Sequence, residues 1–411
     1  MNPITAVVLG AGHRGSTYAS YAKDHPDELQ IVAIADPRHD RRDPLADSLN
    51  VPAEGRFERW EDVLALPKMA DAVFVCTQDD FHTAPAIRAL ELGYHVLLEK
   101  PMSNNEEECR AIEAAARKHN RTLVVCHVLR YTPFYMTLKK LIDDGEIGEV
   151  TTINQIENVG FWHQAHSFVR GNWGNSQISS PMILAKSCHD MDIILWLMGR
   201  DCERIQSFGS LRHFNAESAP EGAPERCLDN CPHAETCPYY APKLYMDMKL
   251  TGWPVEVLTT DLSEEGRRKA LEEGPYGRCA YRCDNDVVDR QVVNMEFEGG
   301  GVATFTMTGL SADFSRQLKI FGTKGQILAD MGTKEITLHK FWGQPENIPI
   351  DMGTEASGHG GGDYGIMRDF ISVLRDGGES RTSAAISLQS HLMCFAAERS
   401  RIEHSVIELK K

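Results

Sequence analysis

Ile4-Thr5-Ala6-Val7-Val8-Leu9-Gly10-Ala11-Gly12-His13-Arg14-Gly15 decides the fold. A short apolar run leads into glycines spaced GxGxxG, and a helix-like segment continues to Lys23. Further apolar runs follow at Leu29 to Ala35, Ala72 to Thr77, His95 to Leu98 and Thr122 to Cys126, with helical patterns between them. Continuous apolar runs of this kind suit strands of a parallel sheet covered on both faces. One intervening helix is marked by Ser103 and Glu106 at capping-box spacing, with Cys109, Ile112, Ala115 and Ala116 on its apolar face.

The glycines have a physical reading. They permit a tight turn, close approach of the backbone to a pyrophosphate, and close packing of helix on strand. The helix N-terminus then offers unpaired N–H groups and a favourable dipole to the anion. Gly10, Gly12, His13, Arg14 and Gly15 are therefore candidate dinucleotide contacts. Asp36 ends the second strand, 21 residues after Gly15. Its carboxylate can accept hydrogen bonds from an adenosine ribose diol and would repel a 2′-phosphate, which points to NAD. Arg38, two residues on, is a basic neighbour able to hold that phosphate, so NADP stays open here.

The whole chain has 411 residues, with 43 Lys+Arg against 59 Asp+Glu and a net charge of −16. Two domains are expected at this length. The acidic balance argues against nonspecific nucleic-acid binding, and no apolar run approaches the ~20 residues of a membrane helix. Met1 to Leu9 has no basic region before its apolar run, so a cytoplasmic protein is expected rather than a secreted one. After about residue 130 the pattern changes. Val287 to Phe297 and Val302 to Met307 alternate and are joined by Gly299-Gly300-Gly301, which predicts an antiparallel hairpin. Strands are also predicted at Gln317 to Phe321, Gln326 to Ala329 and Glu335 to His339, and helix from Tyr364 to Glu403. The expected division is 1–128 and 129–411, with a Cys-rich insertion at about 213–285.

Glu99-Lys100-Pro101 stands at the C-terminal end of the fourth strand, the sheet edge where doubly wound folds bind ligands. A lysine there can exchange a proton with a reacting hydroxyl. With these motifs in place, the chain resembles the glucose–fructose oxidoreductase / inositol dehydrogenase / MocA family over nearly its whole length. The resemblance rests on Gly10 to Gly15, Ala35-Asp36-Pro37, the strand end Cys76 to His82, Glu99-Lys100-Pro101 and Leu129-Arg130-Tyr131. It continues through Gly145 to Gly148, Cys188-His189-Asp190-Met191-Asp192, Phe321 to Gly325, and the Ser390 to Ser400 helix. It implies an α/β N-terminal Rossmann domain and a C-terminal α+β domain with a large, mostly antiparallel sheet. It further implies Thr77, His82, Glu99 and Lys100 at the cofactor, a cis Lys100–Pro101 peptide, and association as a homodimer or homotetramer. Lys100 and His189 would be the catalytic acid/base pair on the hydroxyl being oxidised, with Asp192 one helical turn beyond. Many dehydrogenases of the family carry an aspartate four residues before this histidine; here the position is Ala185, followed by Lys186.

Phe161 to Trp173 gathers aromatic residues with His163, His166 and Arg170, a composition suited to a sugar with apolar faces and hydroxylated edges. Arg130, Arg170 and Lys186 raise the expectation of an anionic sugar such as a uronate or sulfonated glycoside; pairing with local carboxylates is the plain alternative. His359 and Asp363 resemble a loop near the substrate. Of eleven cysteines, Cys227, Cys231, Cys237, Cys279 and Cys283 lie in the insertion. Four thiolates would suit a structural zinc, but the spacing is not a paired CxxC, and free or disulfide-paired thiols compete with it. Three functions follow: an NAD-dependent oxidoreductase on a sugar or cyclitol CH–OH; an NAD-dependent glycosidase working by transient oxidation, elimination, hydration and re-reduction; and a nucleotide-sensing regulator, against which Lys100 and His189 argue.

Overall fold

The computed structural model describes residues 2–351 and 358–409. The described residues divide into two compact units that interleave along the chain. The first comprises Met1–Glu146, Met191–Asp201 and Pro349–Phe395; the second comprises Ile147–Asp190, Cys202–Ile348 and Ala396–Lys411.

In the first unit, β1 (Ile4–Leu9), β2 (Leu29–Ala35), β3 (Arg56–Phe57), β4 (Ala72–Val75), β5 (His95–Leu98) and β6 (Leu123–Val125) form a parallel sheet in the order β3-β2-β1-β4-β5-β6. All four residues of β4 are buried, as strands covered on both faces require. The order reverses beside β1, and that switch point sets the ligand crevice at the C-terminal strand ends. Helix Gly362–Asp376 returns to this unit from far along the chain. Its Tyr364 meets Tyr21 edge-on at 5.0 Å, and its Phe370 meets Phe74 at 6.0 Å. Helix Glu106–Lys118 forms as expected, but its cap is Asn105, whose side chain accepts from the Glu108 N–H. Ser103 donates instead to the Glu108 carboxylate at 2.5 Å, so the capping box is not made.

The second unit is built on β7 (Val150–Asn158), β8 (Cys202–Ser210), β9 (Arg290–Phe297), β10 (Val302–Thr308), β11 (Ser315–Gly322), β12 (Gly325–Asp330), β13 (Glu335–Lys340), β14 (Glu346–Asn347) and β15 (Ile407–Glu408). Their order is β14-β13-β12-β11-β7-β10-β9-β8-β15. Pairing is antiparallel except between β7 and β10. β9 and β10 are the expected hairpin. Since β8 and β9 pair along their lengths, residues 211–289 are an excursion between neighbouring strands. No helix among the described residues is long and apolar enough to cross a membrane.

Candidate active site

The glycine loop of the first unit is shaped by what a Cβ would strike. On Gly10, whose φ is +99°, it would lie 2.4 Å from the Cys76 carbonyl oxygen; on Gly15, 1.9 Å from that of Gly10. These two glycines are needed for packing within the fold. Gly12 differs: its nearest neighbour is Arg41 Nη1 at 3.7 Å. It caps α1 (His13–Asp24) with no side chain closing the helix end. Open space above an uncapped helix N-terminus fits a dinucleotide pyrophosphate. Arg41 brings a cation to this cradle, and its only signal in the sequence is a second arginine after Asp36.

Asp36 follows β2, accepting from the Ala11 N–H at 2.7 Å and the Arg38 N–H at 2.8 Å. Its carboxylate is thereby fixed beside the glycine loop. The Arg38 guanidinium turns onto Asp40, with contacts of 2.5 and 3.1 Å. This geometry favours the diol reading of Asp36 over a 2′-phosphate clamp at Arg38.

Glu99 is the hub of the next strand end. Its carboxylate accepts from Arg14 Nε at 2.8 Å, the Tyr18 hydroxyl at 2.7 Å and the Lys100 N–H at 2.7 Å. Burial would raise its carboxyl, but the Arg14 and Lys100 charges and these hydrogen bonds outweigh that and hold it below its ordinary value. Arg14 also binds Asp363 at 2.6 Å, and His359 Nδ1 lies 3.1 Å from the same carboxylate. Arg14 therefore joins the glycine loop to both Glu99 and the helix Gly362–Asp376. The Lys100–Pro101 peptide is cis. His82 is buried, with Nδ1 2.7 Å from the Pro101 carbonyl and Nε2 3.1 Å from that of Thr77, linking the ends of β4 and β5. The Thr77 hydroxyl donates to the Phe81 carbonyl at 3.0 Å.

Arg130 and Asp192 meet each other. Arg130 Nε and Nη2 reach the two carboxylate oxygens at 2.6 and 2.8 Å, and Nη1 donates to the Arg381 carbonyl at 3.0 Å. The guanidinium lies 5.4 Å from the Trp196 ring centre. Both side chains are buried, and they pair with each other within the first unit.

In the second unit His189 is buried in the first turn of the helix Cys188–Met198. Beside it in sequence, Asp190 accepts from Arg316 at 2.8 and 3.0 Å and from Gln155 at 2.5 Å. Arg316 also binds Glu157 at 2.5 Å, and Lys186 Nζ stands 3.2 Å from that same carboxylate. Burial raises both acids. At Glu157 the Arg316 and Lys186 charges prevail and its carboxyl is lowered; at Asp190 burial and the Glu157 charge prevail and its carboxyl is raised. Burial lowers Lys186, with Glu157 opposing.

The family models add to this geometry. Residues 4–127 match the model for the oxidoreductase family with an NAD-binding Rossmann fold, and residues 139–409 match that family's C-terminal alpha/beta domain. The chain belongs to the Gfo/Idh/MocA oxidoreductase family. A Bacillus subtilis (strain 168) member, YteT, is 26% identical over 328 residues, covering 76% of this chain and 74% of YteT. Inositol 2-dehydrogenase of Corynebacterium glutamicum (strain R) is 29% identical over 193 residues, 47% of this chain. The chain spans about half of that relative's length, 53%. Among solved structures, levoglucosan dehydrogenase in complex with NADH superposes with a TM-score of 0.74 over the full length of both chains, at 19% identity.

Against the family pattern, Ala185 leaves Lys186 as the charged group ahead of His189, and Glu157 on β7 is the partner that sequence alone did not reveal. Arg170 donates to the Arg278 and Tyr239 carbonyls at 2.7 and 2.6 Å, holding the insertion. His166 binds the Tyr245 hydroxyl at 2.7 Å and stacks on Tyr276 at 4.8 Å; burial, with Arg170 nearby, pushes it down to about 3. The structure does not support the zinc reading. Among the described residues no three His, Cys, Asp or Glu side chains are grouped to hold a metal ion, and Cys227, Cys231, Cys237, Cys279 and Cys283 are free thiols. Within the insertion Phe214, Tyr239 and Tyr281 form an apolar cluster, and Cys227 accepts from the Ala241 N–H at 3.4 Å.

Proposed function

We propose that this family member oxidises a CH–OH group of a sugar or cyclitol, with residues 1–128 as the cofactor module and 129–411 as the substrate module. The observation that carries the reading is the open Gly12 cradle over α1, set beside Asp36 and the Glu99-Lys100-Pro101 strand end. Gly10, Gly12 and Gly15 shape the loop for the pyrophosphate, Arg41 adds charge, and Asp36 receives the ribose diol. Bound NAD supplies a hydride acceptor for the carbinol carbon. Lys100 and His189 take and pass on the hydroxyl proton, while Glu99 fixes the Lys100 backbone. Phe208 and Val292, exposed and paired across β8 and β9, support assembly as a homodimer or homotetramer. The same reading keeps the protein in the cytoplasm, whose reducing medium suits the thiols of the insertion.

The test is incubation with NAD and a panel of free sugars, cyclitols and aryl glycosides, following absorbance at 340 nm and aglycone release. NADH accumulation upholds the reading. NAD-dependent aglycone release without NADH replaces it with the glycosidase, and neither signal overturns both. The Asp36 assignment makes a separate prediction. Asp36→Ala is expected to weaken NAD binding about tenfold or more, since hydrogen bonds to a charged acceptor contribute roughly 1.5–3 kcal/mol, and to narrow the preference over NADP. Unchanged affinities for both cofactors, measured by fluorescence titration, would count against it.

A further inference from the structure

We propose that the insertion completes the substrate site: Trp253, delivered by residues 211–289, forms with Trp162, His163 and Phe314 an aromatic wall for an uncharged pyranose or cyclitol ring. The inference rests on the sugar reading above and narrows it. Trp253 lies 5.4 Å from Trp162 and 5.0 Å from His163, and Phe314 lies 6.1 and 5.2 Å from the same two rings. Trp253 is 37% exposed and Phe314 51%, an unusual outlay of aromatic surface for two rings set on one cluster. Rings presented side by side offer the apolar faces that a sugar's C–H bonds can cover.

A polar group waits within the same cluster. His163 Nδ1 is buried and makes no hydrogen bond among the described residues. Leaving it unpaired is unfavourable, which suits a ligand with hydroxyls. Lys186 Nζ stands 5.3 Å from the Phe314 ring centre and connects the wall to the Glu157–Arg316–Asp190 cluster before His189. Charge sets the ligand class. Lys186 and Arg316 share the Glu157 and Asp190 carboxyl groups, and His163 is held neutral by burial and the nearby Lys186 charge. Two of the three cations behind the anionic-sugar expectation, Arg130 and Arg170, are consumed elsewhere.

The loop bearing Trp253 is held in place. Arg267, fully buried, donates to the carbonyls of Tyr245, Asp247, Leu250 and Leu262 at 3.2, 2.9, 2.7 and 2.9 Å. A guanidinium saturated by carbonyls on both sides of the loop fixes where the tryptophan stands.

The test is calorimetric titration of the NAD-loaded protein with myo-inositol, D-glucose, methyl β-D-glucopyranoside and levoglucosan, with D-glucuronate as the charged counterpart. At least one uncharged ring is expected to bind more tightly than D-glucuronate. Trp253→Ala is expected to weaken it about tenfold, and Trp253→Phe to keep most of the affinity, with melting temperature and NAD affinity unchanged in both. Equal binding by Trp253→Ala, tighter binding of D-glucuronate, or no binding of any uncharged ring overturns the proposal. Trp253-dependent binding without NADH formation upholds the wall and removes the oxidoreductase reading. NADH formation with a Trp253-independent KM does the reverse.

Discussion

Lys100→Met is expected to lower the rate of NADH formation about 10²–10⁴-fold, the range contributed by a positioned proton-transfer group, while leaving NAD affinity within a few fold. Methionine keeps an unbranched stem and removes only the ammonium. The size of the effect follows from how firmly the residue is placed. The Glu99 carboxylate takes the Lys100 N–H at 2.7 Å and is itself held by Arg14 and Tyr18. Glu99 has its own expected signature. Glu99→Gln keeps the side chain's shape but weakens its pull on Arg14, so kcat should fall less than in Lys100→Met. Steady-state rates on the best substrate of the panel, alongside NAD titration, check both. Lys100→Met retaining a tenth or more of the wild-type kcat would remove the lysine from the chemistry.

The first unit was legible because its signals are local. Apolar runs, a glycine spacing and an acid at a strand end are properties of adjacent residues. What the sequence hid is pairing at long range. Arg14 and Asp363 are separated by 349 positions, and Arg130 and Asp192 by 62. Nothing local announces which carboxylate will satisfy which guanidinium once both are buried. The pairings of Arg130 with Asp192 and of Lys186 with Glu157 on β7 are of this kind. Of the insertion's cysteines, Cys237, Cys279 and Cys283 pack with Tyr239 and Tyr281, an arrangement that their spacing does not announce. The Asn105 cap was overlooked because Ser103 and Glu106 matched a capping pattern two residues too early. Trp253 carried no motif; only its neighbours in space mark it.

The buried pair in the first unit carries the largest expected effect on stability. Asp192→Asn keeps the shape of the side chain and leaves the Arg130 guanidinium without its counter-charge at a site where the two side chains are 3% and 1% exposed. Removing one partner of a buried pair costs about 3–5 kcal/mol, and the remaining contacts of Arg130, the carbonyls of Arg381 and residue 192 and the Trp196 face, do not replace a carboxylate. The pH dependence separates this role from substrate binding. Burial alone would raise the Asp192 carboxyl, but Arg130 and His127 outweigh it and hold it below its ordinary value. A lowered acid contributes stability above the unfolded-state pKa of about 3.9 and loses it as pH falls through the folded value. Wild type and Asp192→Asn should therefore differ most near neutrality and converge in acid, as read by urea midpoints across pH. If Arg130 and Asp192 instead held substrate, the variant would melt with wild type at neutral pH and show its defect in KM alone.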